Sequence, residues 1–124
     1  MKLQADRSNT LTINAHGPGW VAVNGIRHQG SLVIDSQTGV HPWGCAAFTD
    51  LTAAHFEPLA AYRPELVLLG SGAKLRFVHP SLLQSLISQR IGVETMDTAA
   101  ACRTYNILAG EGRRVVAALL VEPM

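Results

Sequence analysis

Leu66-Val67-Leu68-Leu69 is an uninterrupted apolar run that stops at Gly70-Ser71-Gly72. A run this short, closed by glycines, reads as a β-strand dry on both faces, because a strand with one wet face alternates apolar and polar side chains. Both faces stay dry only if other layers cover the sheet above and below. Together with a β-meander followed by alternating helix and strand along the chain, this points to an α/β fold, with helices packed on a mixed central β-sheet.

The remaining segments fit that frame. Leu11, Ile13 and Ala15 alternate with Thr12, Asn14 and His16, the two-residue period of a half-buried strand. Asn24-Gly25, between Trp20-Val21-Ala22-Val23 and Ile26-Arg27-His28-Gln29, predicts a tight β-hairpin, because both residues accept the positive φ of a type I′ turn. Gly30 reads as a bulge before the strand resumes at Leu32, and Ser36 to Gly39 as the next turn. A helix broken by Pro58 is expected over Thr49 to Tyr62. Lys74 to Val78 alternates like a strand, and Pro80 opens a predicted helix whose apolar residues run from Leu82 to Ile91 and which Gly92 ends. A brief strand over Val93 to Met96, a helix capped by Asp97 or Thr98 that runs to about Ala109, and a last strand over Arg114 to Val121 complete the order.

A chain of 124 residues, 48% apolar and 15% charged, is expected to form a single domain over 1–124 with a sizeable core. A formal net charge of +1 gives no electrostatic footprint for a phosphate backbone, so neither nucleic acid nor an anionic lipid surface is an expected partner. Cys45 and Cys102 form no C-x-x-C pair, which fits a reducing compartment. Met1 to Asn9 lacks the apolar stretch of an export signal, and the longest apolar run, Val115 to Val121, is too short for membrane insertion. A cytoplasmic protein is expected.

Gly70-Ser71-Gly72 is the most suggestive local feature. It is either a plain turn or, at the carboxyl end of a buried strand, a nest of backbone N–H groups for an anion. No third glycine and no Walker lysine accompanies it. The polar stretch from Glu94 to Asn106 adds Thr98, Arg103 and Asn106 as candidates. In the plain reading Asp97 and Thr98 cap a helix, Tyr105 is a core ring with a bonded hydroxyl, and Arg103 pairs with a carboxylate such as Glu94. In the other, Arg103 reaches Gly70-Ser71-Gly72 and completes an anion pocket. Trp43, in a loop, is a candidate interface anchor.

His16, His28, His41, His55 and His79 show no metal-ligand spacing, so neither a metal site nor a cofactor is expected. Cys45 would be a nucleophile only beside a base, and His41 is the one cue. No G-x-S-x-G elbow is present. Catalytic residues are not assigned, and whether the chain is an enzyme stays open.

In combination, Pro64 to Gly72, Gly92 to Thr98, Arg103-Thr104-Tyr105-Asn106 and Glu111-Gly112-Arg113 resemble the Mth-domain family, a domain of unknown function, with a likeness running from about Thr10 to Val121. Where many relatives have Gly-Thr-Gly, this chain has Gly70-Ser71-Gly72. The resemblance implies a three-layer α/β fold with a mixed central sheet and an added β-hairpin layer, formed here by the Trp20 to Asp35 region. It implies no catalytic residue and no cofactor. Mitochondrial relatives act as assembly helpers for respiratory complex I, so the function it favours is a protein-interaction or assembly module. The alternative is a small-molecule enzyme or binder holding an anion at Gly70-Ser71-Gly72 with Arg103. The oligomeric state is left open.

Overall fold

A computed structural model describes residues 11–122, and the stretch 1–9 considered above lies outside the described residues. Among the described residues, eight strands form two sheets. The first is an antiparallel meander of β1 (Ile13–Gly17), β2 (Trp20–Val23) and β3 (Ile26–Gln29). The second has five strands: β4 (Leu32–Asp35), β5 (Gly39–Pro42), β6 (Leu66–Gly70), β7 (Gly92–Met96) and β8 (Val115–Leu119). Their order is β5-β4-β8-β6-β7. Strand β4 runs antiparallel to β5 and β8, whereas β6 is parallel to β7 and β8, so the central sheet is mixed as expected.

The period of two along the central strands sorts the core into two. Leu68, Val115, Ala117 and Leu119 face one side, where they meet Ile13, Val21 and Val23 of the first sheet and Ala101, Cys102 and Tyr105 of the long helix α3 (Thr98–Gly110). Val67, Leu69, Val116 and Ala118 face the other, against Phe56 of α1 (Ala53–Phe56), Leu86 of α2 (Gln84–Ile87) and their flanking turns. The apolar run Leu66 to Leu69 is thus covered by two layers, and the fold is three-layered α/β.

The hairpin at Asn24-Gly25 forms with φ of 49° and 82°, the doubly positive pair a type I′ turn needs. Gly30, at φ 80°, is not a bulge within one strand: β3 ends in the first sheet and β4 begins in the second, so the glycine turns the chain between layers. The helix expected over Thr49 to Tyr62 is broken into a 3-10 turn at Phe48–Asp50, α1, and a second 3-10 stretch at Glu57–Tyr62 with Pro58 in its first turn. That is the break a missing N–H imposes. The helix predicted from Pro80 is a 3-10 turn followed by the single turn of α2, and Arg90, with φ 61°, closes it. Gly92 belongs to β7 instead.

Residues 74–78 are not a strand. The Ser71 hydroxyl donates to the Lys74 carbonyl at 2.7 Å and accepts from the Arg76 N–H at 3.0 Å, so a side chain has taken backbone groups that a neighbouring strand would otherwise pair.

Candidate functional site

Strand β6 delivers Gly70-Ser71-Gly72 to the N-terminus of α3. The Ser71 N–H donates to the Met96 carbonyl at 2.8 Å and the Gly72 N–H to Thr98 Oγ1 at 2.9 Å. Thr98 returns its own N–H to the Gly72 carbonyl at 2.9 Å and its hydroxyl to the Leu120 carbonyl at 2.7 Å. Asp97 caps the helix, its Oδ1 accepting from the Ala100 N–H at 2.8 Å. The turn and the helix end are therefore adjacent, but the amides of Ser71 and Gly72 are already spent on each other's neighbourhood.

Arg76 locks this corner from the other side. Its guanidinium donates through Nε and Nη2 to the Ser71 carbonyl, at 3.2 and 2.7 Å, and through Nη2 to Glu122 Oε1 at 2.8 Å. It also lies over the Phe48 ring, 4.6 Å from its centroid, while Glu122 Oε2 accepts from the Phe48 N–H at 3.1 Å. Sequence reasoning missed this clamp. Arg76 falls there in the strand expected over Lys74 to Val78, and no spacing rule joins it to Glu122. Its consequence is visible on the segment it pins: with Arg76 and Val78 partly buried, Leu75 and Phe77 stand outward, 54% and 70% exposed.

Arg103 lies elsewhere. A cavity of about 310 Å³, lined by Trp20, Gly72, Asp97, Thr98 and Val121 among others, opens between the first sheet and α3. A second, of about 340 Å³, is lined by Ile13, Asn14, His16, Cys102, Arg103 and Asn106. His16 belongs to both linings, so the two form neighbouring parts of one groove, with Gly72 and Thr98 at one end and Arg103 at the other. Asn106 is a structural tie: its Oδ1 accepts from the Ile13 N–H at 2.8 Å and its Nδ2 donates to the Ile13 carbonyl at 2.9 Å, fastening β1 to α3.

Several sequence-based expectations need correction. Trp43 is no exposed anchor: it is 7% exposed, donates its indole N–H to the His55 carbonyl at 2.9 Å, and meets Phe56 edge-on. Glu94 is exposed on β7 and makes no ion pair with Arg103; the described ion pairs are Arg76–Glu122 and Arg113–Glu65. The Tyr105 hydroxyl is buried without a partner among the described residues.

No nucleophile with an activating base emerges among the described residues. Burial pushes the Cys45 thiol up, and its Sγ donates to the Ala47 carbonyl at 3.2 Å, while His41 is engaged with Thr38. Burial pushes the Cys102 thiol up to about 11, against a smaller lowering by the Arg103 charge. Among the described residues no group of three His, Cys, Asp or Glu side chains is placed to hold a metal ion. Nor, among those residues, is any helix long and apolar enough to cross a membrane.

Known proteins share this architecture. An uncharacterised protein of Rhodobacter capsulatus is 37% identical over 116 residues, covering 94% of this chain and 89% of that one. The mouse protein named NADH dehydrogenase [ubiquinone] 1 alpha subcomplex assembly factor 3 is 33% identical over 123 residues, covering 98% of this chain but 66% of its own length. A Bordetella pertussis solution structure described as a Mth938-like domain superposes with a TM-score of 0.80 at 33% identity, covering 91% of this chain and 87% of that one. With residues 13–120 matched by the family described as "protein of unknown function (DUF498/DUF598)", the chain belongs to that family.

Proposed function

We propose that this chain is a protein-binding domain that helps assemble a larger complex, and that residues 74–78 form its contact segment. The observation that carries this reading is the pairing of exposure with rigidity. Leu75 and Phe77 are among the most exposed large apolar side chains, 54% and 70%, on a segment whose backbone is held by Ser71 and whose centre is clamped by Arg76 and Glu122. An aromatic held outward before binding loses little conformational entropy on docking, and such anchors carry most of an interface's energy. The similarity to a protein named as an assembly factor supports the same class. Free thiols at both Cys45 and Cys102 fit action in a reducing compartment such as the cytoplasm, and a formal net charge of +1 fits a polypeptide rather than nucleic acid as partner.

The test is quantitative capture from the native cell with the wild-type chain and with the double variant Leu75→Ser, Phe77→Ser, read against thermal unfolding of both. The expected result is one or more partners recovered stoichiometrically by the wild type and lost by the variant, with the two unfolding within a few degrees of each other. Equal recovery by both chains, or recovery of nothing above background by either, would overturn the reading.

A further inference from the structure

Beside the clamp, whose Glu122 is part of its lining, the groove between the first sheet and α3 has a polarity that nothing in the assembly reading uses. Its more apolar end is the cavity of about 310 Å³ with Trp20, Leu120 and Val121 in its lining, and the carboxylates there, Asp97 and Glu122, both accept hydrogen bonds from the protein itself. Its other end holds Arg103 and His16. Of the polar side chains lining the groove, Asn14, Thr98 and Asn106 also have partners: Asn14 Oδ1 accepts from the Gly25 N–H, and the other two are bonded as above. Arg103, His16 and the Trp20 indole N–H have none among the described residues, and Arg103 and the indole are donors only. No carboxylate lines the Arg103 end among those residues.

We infer that the groove binds a small amphipathic organic acid, its carboxylate held by Arg103 and His16 and its apolar body lying along Trp20 and Val121. Charge fixes the orientation. A carboxylate at the other end would approach Asp97, and Glu122 there is already paired with Arg76, whereas at the Arg103 end it meets an unpaired guanidinium whose fork matches it. The apolar body gains by leaving water for a concave, largely apolar wall, and a cavity of about 310 Å³ sits at the small end of the range for ligand sites. The inference is independent of the contact segment proposed above.

The experiment follows backbone amide shifts of the full chain while sodium octanoate, octylammonium chloride or inorganic phosphate is added. Octanoate should move the amides of His16, Ala99 and Arg103 saturably. Phosphate should move Arg103 and His16 more weakly and leave Ala99 in place, and octylammonium should move none of the three. Arg103→Glu should weaken octanoate by roughly tenfold or more, as loss of a charge-assisted bond implies. Ala99→Phe, which fills the apolar end, should weaken octanoate and leave phosphate unchanged. The Leu75→Ser, Phe77→Ser variant should bind octanoate as the wild type does, which separates failure here from failure of the assembly reading. Octylammonium binding as well as octanoate, an unaltered affinity in Arg103→Glu, or no saturable shift with octanoate would overturn the inference.

Discussion

The corner around Gly70-Ser71-Gly72 and the groove at Arg103 both gather polar groups near α3, yet they differ in one respect. At the corner the amides of Ser71 and Gly72, the hydroxyls of Ser71 and Thr98, the Arg76 guanidinium and both oxygens of Glu122 are all paired. At the groove Arg103 and His16 have no described partner. A satisfied network fixes geometry, because leaving any member unpaired costs its full desolvation penalty, and its backbone amides and carboxylate oxygens are already committed. The sequence motif that looks most like a ligand loop is therefore the scaffold, and the inconspicuous helix face retains free donors.

The most damaging way to probe the corner is Gly72→Ala. Gly72 has φ 98°, and an added Cβ would stand 2.5 Å from both Arg76 Nη2 and Glu122 Oε1. Backbone strain and displacement of the ion pair together should cost about 3 kcal/mol, read as a lowered urea midpoint with an unchanged slope. A loss below about 1 kcal/mol would mean that the corner yields, and that its network does not fix the pinned segment.

A second probe asks whether the groove's floor is dry. Cys102 is 2% exposed beneath Arg103, and its thiol is raised from 9.0 to about 11. The buried Tyr105 hydroxyl is raised as well, first by burial and then by the negative charge of Asp35. Both groups hold their proton more tightly folded than unfolded, so the stability they contribute is fully present below pH 9 and is lost as pH rises from about 9 toward 11 and beyond. The Cys102 share of that loss should be about 2 kcal/mol by pH 11, and Cys102→Ala should flatten the decline over that window. Parallel declines in the two proteins would indicate that water reaches the thiol.

Much of the scaffold was legible and the groove was not, for physical reasons. Asn24-Gly25 dictates its turn through φ preferences alone, Asp97 caps its helix through one local bond, and the run Leu66 to Leu69 announces two covered faces. Each of these signals is contained in a few consecutive residues. Alternation over Lys74 to Val78 told only that neighbours point oppositely. It could not say that Arg76 would turn inward to Glu122, which is far along the chain, nor that Ser71 would take the backbone groups a strand needs. Trp43 sits in a loop, but a bond to the His55 carbonyl and the Phe56 ring draw it into the core. His16 and Arg103 share a groove only because Asn106 ties β1 to α3, a contact no periodicity encodes.

The mildest perturbation draws the contrast most sharply: the same change, Arg to Ala, made at each of the two arginines. The Arg76 guanidinium makes three hydrogen bonds and lies over Phe48, so Arg76→Ala strands the Ser71 carbonyl and Glu122 Oε1 in a partly buried corner. Its position near the surface moderates the penalty to about 1.5 kcal/mol. Arg103 is exposed on α3 with no described partner, so Arg103→Ala removes no bond and exchanges one good helix former for another. Its unfolding free energy should stay within about 0.5 kcal/mol of the wild type. If Arg103→Ala proved as costly as Arg76→Ala, the guanidinium would have to be engaged in the free protein, and the donors assigned to the groove would already be committed to the fold.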